Sequence, residues 1–182
     1  SETNAYKMTN TLNQAFVDAV RSTGGYNAQR VLIVSGYWTN IDKTTSARFT
    51  MPEDLVNDRL MVSVHYVDNS MYWANKIGGE EWLKYIDSQC AELKDAFLDN
   101  DIPVFMGETT STYPESNFAK DAEYTDSSKC LSIVLGKLTD LGIVPVIWDT
   151  NSHFYSRTTY KIVNSSDRKV IREYADKLKA EQ

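Results

Sequence analysis

Ile102-Pro103-Val104-Phe105-Met106-Gly107-Glu108-Thr109-Thr110-Ser111 is the stretch on which the fold turns. It begins as a short apolar run of strand length, is closed by Gly107, and presents an acid, Glu108, as the first residue past the glycine. A continuous apolar run that follows a helix-like segment reads as a buried strand of a parallel sheet. The C-terminal ends of such strands are where parallel α/β folds place their chemistry, so Glu108 is expected to be the reacting residue.

Working outward, three further strands are expected. Residues 30–35 contain Val-Leu-Ile-Val, residues 60–65 end in His65 followed by Tyr66, and residues 144–148 lead into Asp149, Asn151, His153 and Phe154. Helical periodicity predicts helices over about 11–23 (Leu12, Phe16, Val17, Val20 on one face), 80–99 (Trp82, Ile86, Leu93, Phe97), 119–141 (Leu131, Val134, Leu135, Leu138) and 167–179 (Val170, Ile171, Tyr174, Leu178). Residues 1–10 read as a polar loop. The alternation predicts right-handed parallel crossovers in a single domain. Four strands leave two architectures open, a small doubly wound sheet or half of an eight-stranded barrel. An open sheet would most often carry a glycine-rich phosphate turn, and the sequence shows none.

Composition narrows the function. Nineteen basic against 25 acidic residues give a net charge of −6 with no basic block, so nucleic acid is not an expected partner. No apolar stretch approaches the roughly 20 residues of a membrane span. The two histidines are far apart and neither cysteine has metal-ligand spacing, so no metal or other cofactor is expected. No Gly-x-Ser-x-Gly turn is present for a serine nucleophile. Cys90 and Cys130 are either one bridge of an oxidising compartment or two small buried hydrophobes; free thiols are the expectation. The chain starts at Ser1, as expected of a mature or trimmed product.

The polar and aromatic residues just past the four strand ends are Tyr37-Trp38, His65-Tyr66, Glu108 and Trp148-Asp149. In a parallel barrel these converge on one face. A carboxylate, a His and Tyr to orient it, and an indole as a sugar platform make a glycosidase-like set. Asp149, Asn151 and His153 are further candidates for substrate hydrogen bonds, while Trp38 and Trp73 read as loop packing that could also extend a cleft.

Four blocks carry a family resemblance. Leu12-Asn13-Gln14-Ala15-Phe16-Val17-Asp18-Ala19-Val20-Arg21, then Thr23-Gly24-Gly25, resembles the helix preceding strand five of glycoside hydrolase family 5 cellulases. Arg59-Leu60-Met61-Val62-Ser63-Val64-His65-Tyr66 resembles strand six, Ile102 to Glu108 strand seven, and Val144-Pro145-Val146-Ile147-Trp148-Asp149 strand eight. The likeness is greatest to the broad-specificity endoglucanases and xyloglucanases. It implies an α/β fold, a parallel (β/α) half-barrel made of strands 5–8 of a TIM (β/α)8 barrel, with residues 1–182 as the C-terminal half of one catalytic domain. It implies a secreted, retaining endo-β-1,4-glucanase acting on β-glucan polysaccharide or oligosaccharide. Glu108 is then the nucleophile, Tyr66 its hydrogen-bond donor, His65 a −1 subsite residue, and Trp148 the platform beneath the sugar.

The chain departs from the family pattern at Thr109-Thr110-Ser111, where Phe-Gly is usual, and at Val67-Asp68-Asn69, where an aromatic and proline are usual. Asp149 stands where a second Trp is common. The family's acid/base Glu follows an Asn, and no Asn-Glu pair occurs in these 182 residues. Strands five and eight of a half-barrel would be open edges, so the expected complement is the N-terminal half or a second copy of the chain. The alternative function is a non-catalytic half-barrel that binds glycan or self-associates, with Asp149 of a second copy near the acid position.

Overall fold

A computed structural model describes residues 1–149 and 153–180. Helix α1 (Glu2–Ser22) leads to strand β1 (Leu32–Ser35), short helix α2 (Ile41–Thr44), strand β2 (Leu60–His65), short helix α3 (Asn69–Trp73) and helix α4 (Glu80–Ala96). Strand β3 (Val104–Thr109), helix α5 (Ser127–Asp140), strand β4 (Val144–Ile147), the two-residue strands β5 (Tyr155–Ser156) and β6 (Lys161–Ile162), and helix α6 (Ser165–Ala180) complete the order. The first four strands form one sheet in the order β1-β2-β3-β4. β1 and β2 run parallel, with Leu32 opposite Leu60 and Ser35 opposite Ser63. Neighbours in sequence are thus neighbours in the sheet, the order of a barrel wall rather than of a doubly wound sheet with a strand-order reversal.

Contacts divide the chain into two units. In the first, Ser1–His65 with Ala91–Gly107, α1 packs Val17 on Leu32 and Val34 of β1, and Val20, Phe49, Met51 and Leu60 close over them. Polar side chains on the same face of α1, above and below Val17, take the place of a strand partner for the long 46–59 segment. Gln14 donates to Glu53 O at 3.0 Å and accepts from Glu53 N at 2.8 Å; Asn10 donates to Arg48 O at 2.9 Å. Arg21 holds Asp54 through two parallel bonds of 2.8 and 2.6 Å and donates to the carbonyls of Asn27 and Arg30. That guanidinium keeps the Asp54 carboxyl below its usual range.

Residues 2–10 are helical rather than the expected loop. Their partners lie far along the chain, where composition does not reveal them: Tyr6 is buried against Tyr37 with Arg48 over its ring, and Glu2 pairs with Lys43. Leu12 and Phe16, expected to face inward with Val17, are exposed.

The second unit is Tyr66–Cys90 with Glu108–Gln182. Its core includes Ile77, Trp82, Ile86, Tyr113, Leu131, Val134, Leu135 and Leu138, all nearly inaccessible to water. Helix α5 begins at Ser127, eight residues later than expected, because Asp126 caps it by accepting from Lys129 N at 2.8 Å. The residues before that cap are used differently. Ala119 N donates to Ile77 O, and the amides of Glu123 and Tyr124 both donate to Gly78 O. α6 is held to α5 by Tyr174 OH to Ser132 O (2.8 Å) and by Ser128 Oγ to the buried Asp167 (2.5 Å). Cys90 and Cys130 are both free and buried, and burial pushes the thiols up to about 11 and about 12, so neither is a ready nucleophile at neutral pH.

The outer strands leave apolar side chains uncovered. In β1 and the residue before it, Leu32 and Val34 are buried while Val31 and Ile33 are 47 % and 42 % exposed. In β4, Val144 and Val146 are 51 % and 39 % exposed. Parallel strands ordinarily bury both faces.

Gly78 has φ +82°, and a Cβ there would lie 1.9 Å from Tyr124 O. Gly78→Ala must break the docking of the 119–124 segment. The expected cost is about 2 kcal/mol, a fall of roughly 4–8 °C in melting temperature by calorimetry; an unchanged Tm would contradict this packing.

Candidate active site

The site grows from the ends of β2 and β3. β3 carries Glu108 as its penultimate residue, so the carboxylate is held by a strand rather than lying just past it. Tyr66 follows β2 directly and sits in the left-handed region at φ 52°, unusual and strained for a bulky aromatic. Its amide donates to Glu108 O at 2.8 Å, and its phenol donates to Glu108 Oε2. Burial raises the Tyr66 pKa far above the ordinary tyrosine value, and the hydrogen bond to Glu108 and its negative charge push it further. The phenol therefore stays protonated, a donor, wherever the carboxylate is ionised.

His65, in the first unit, lies against the strand at Gly107. A Cβ on Gly107 would come within 2.9 Å of His65 Nε2 and 2.8 Å of Ser63 Oγ. The glycine before Glu108 is thus a clearance for the imidazole.

Trp148 is placed by its own amide, which donates to Thr109 O at 2.9 Å, and its ring is half exposed. A cleft of about 250 Å³ runs past Tyr66 and Trp148. Its other walls are Asn69, Tyr72 and Trp73 from the segment after β2, and Thr110, Ser111 and Thr112 from the segment after β3. Rings that present faces, interleaved with hydroxyls and an amide, suit a sugar, which needs both stacking and hydrogen bonds.

Beside this cleft Asp68 is 1 % exposed and accepts from Thr110, Tyr113 and Trp82. Burial pushes its carboxyl up, against the pull of those donors. Saturated and enclosed, it cannot reach a substrate.

Of the residues expected from sequence, Tyr66 and Glu108 are directly bonded, and Trp148 shares the cleft with Tyr66. Asp149 accepts from Tyr155 N at 3.1 Å, at the entry to the β5-β6 hairpin. His153 is exposed, and Asn151 lies outside the described residues. Trp38 stacks on Tyr37 at 5.1 Å with Lys43 over its ring. Sequence reasoning missed Asn69, Tyr72 and the Thr110–Thr112 run; of the two readings it leaves for Trp73, packing or an extension of the cleft, the structure has the second. One signal was available: Asn69 and Trp73 are four apart, the spacing that brings side chains together on a helical turn, and the indole donates to the Asn69 carbonyl at 3.1 Å. Among the described residues no group of three or more His, Cys, Asp or Glu could hold a metal ion.

A strand-held carboxylate beside an aromatic cleft at the C-terminal edge of a parallel sheet defines a hydrolase-like site. The cellulase family, glycosyl hydrolase family 5, matches residues 1–154, and the chain belongs to that family. It is 30 % identical over 175 residues to the xyloglucan-specific endo-β-1,4-glucanase of Bacteroides ovatus, covering 85 % of this chain and 34 % of that protein. Endoglucanase A of Paenibacillus barcinonensis is 34 % identical over 176 residues, covering 81 % and 42 %. Among solved structures, a Caldicellulosiruptor family 5 lichenase in complex with cellotetraose superposes with a TM-score of 0.80 at 27 % identity, over 95 % of this chain and 50 % of that one. A broad-specificity endoglucanase from an uncultured bovine rumen ciliate gives 0.78 at 28 % identity, over 94 % and 54 %. The chain thus spans well under half the length of these two curated relatives and about half of the two solved chains.

Thr109, between Glu108 and the cleft wall, is 1 % exposed and its hydroxyl has no hydrogen-bond partner. Thr109→Val keeps the shape and removes the orphan. The expected gain is about 1 kcal/mol, a rise of roughly 2–4 °C in Tm; a lower Tm would mean that the hydroxyl has a partner after all.

Proposed function

We propose that this chain supplies the nucleophile half of a retaining endo-β-1,4-glucanase, strands five to eight of a (β/α)8 barrel. The observation that carries the reading is the Tyr66–Glu108 pair at the end of β3, beside the cleft it shares with Trp148. Glu108 attacks the anomeric carbon of a glucosyl unit resting on Trp148 and forms a covalent glycosyl-enzyme. Tyr66 donates to one carboxylate oxygen and orients the group. A second carboxyl group about 5–5.5 Å away must protonate the leaving oxygen and then activate water.

That second group is assigned to the N-terminal half of the barrel, since Asp68 is enclosed and no Asn-Glu pair occurs in the chain. Two observations support a missing half: relatives of like fold are about twice as long, and Val31, Ile33, Val144 and Val146 stand uncovered on the outer strands. The same uncovered strands support the second reading, a half-barrel that pairs with its own copy and binds glycan without cleaving it. Substrates are β-1,4-linked glucans, as the name of the Bacteroides ovatus relative indicates for that protein. Asp149 is a further candidate for polar contacts to the sugar. A polymeric substrate places the enzyme outside the cell.

In the protein comprising both halves, Glu108→Gln should lower kcat on soluble β-1,4-glucan at least about 10³-fold, ~4 kcal/mol of transition-state stabilisation. Tyr66→Phe loses one hydrogen bond to a charged group and should cost about 10–100-fold. Near-normal turnover in Glu108→Gln would refute the assignment. Robust hydrolysis by a monomer of residues 1–182 alone would refute the need for a second half.

A further inference from the structure

The segments that leave β2 and β3 are tied to each other close to the strand ends. Tyr66 N donates to Glu108 O at 2.8 Å, Tyr66 OH donates to Glu108 Oε2, and Thr110 Oγ1 donates to Asp68 Oδ1 at 3.2 Å. Asp68 is two residues beyond Tyr66 in a turn closed by Asn69 N to Tyr66 O at 3.2 Å. Its other oxygen accepts from Tyr113 OH at 2.8 Å and Trp82 Nε1 at 3.3 Å. Trp82 and Tyr113 are buried core residues, so they fix the carboxylate. Thr110 is different: it is half-buried and lines the cleft.

The direction of the Tyr66 phenol depends on its left-handed backbone, φ 52°. Such a conformation lies above the extended alternative for a bulky residue and persists only where its surroundings hold it. Were the turn to relax, the phenol would swing away from Glu108. The amide tie alone would leave the turn to pivot about one point. Asp68, held in the core by Tyr113 and Trp82, is a second, and Thr110 joins that anchor to the segment two residues past Glu108.

We propose that Asp68 is a positioning residue which, through Thr110, locks Tyr66 in the orientation that donates to Glu108. This deepens the reading of Glu108 as nucleophile and rests on it. Asp68 touches no substrate; its effect passes through the 66–69 turn. A merely structural role, in which Asp68 serves only Trp82 and Tyr113, would leave turnover indifferent to Thr110.

Thr110→Val removes that tie, together with the hydroxyl's bond to the Tyr113 phenol, and keeps both core bonds to Asp68. It is to be measured in the two-half protein on soluble β-1,4-glucan, beside Thr110→Ser, Tyr66→Phe and the Thr110→Val/Tyr66→Phe double variant. The expected result for Thr110→Val is a fall in kcat of about five- to tenfold with KM within about twofold, as one lost hydrogen bond allows. Thr110→Ser, which keeps the hydroxyl, should restore kcat. The double variant should be no slower than Tyr66→Phe alone, because both changes act through one bond. Wild-type kcat in Thr110→Val, or losses that multiply in the double variant, would overturn the positioning role while leaving the nucleophile in place. Normal turnover in Glu108→Gln would overturn the reading beneath it, and the inference with it.

Discussion

The structure depends on one hydrogen bond made under constraint: the phenol of Tyr66, on a backbone turned into the left-handed region, donating to the carboxylate at the end of β3. A phenol serves as a donor only while it keeps its own proton, and burial and the neighbouring negative charge hold the Tyr66 proton in place. At the glycine before the acid, the space a side chain would fill belongs to His65.

Around that bond each unit solves a local problem with polar side chains. In the first, Gln14, Asn10 and Arg21 satisfy or neutralise groups of a long segment that has no strand partner, which lets that segment pass over α1 without stranding buried polar groups. In the second, Asp68 collects a hydroxyl, a phenol and an indole. Thr109 is the exception, a buried hydroxyl without a partner beside the candidate nucleophile.

Much of this was legible in the sequence because it rests on local rules. The strand over residues 32–35 falls within the β-branched-rich run Val31-Leu32-Ile33-Val34, and Glu108 follows from an apolar run closed by glycine. What was not legible depends on partners distant in the chain. The helix over residues 2–10 needs Tyr37, Lys43 and Arg48. The late start of α5 needs Gly78, whose carbonyl occupies the residues that would otherwise have been its first turns. Asp68 and Thr110 were visible separately, as two departures from the family pattern. Their distance of 42 positions hid that each is the other's partner. Packing and cleft extension are both open for Trp73 in the sequence, and its place on a short helix after β2 decides for the cleft.

The central claim is that the Glu108 carboxylate forms the bond to sugar. A 2-deoxy-2-fluoro-β-cellobioside with a good leaving group traps such an intermediate, and digestion with mass spectrometry locates it. In the protein with both halves, the account predicts the added fluoroglycosyl mass on the peptide containing Glu108, stable enough to sequence. Label on a different carboxylate, or steady release of the leaving group with no labelled peptide, would contradict it.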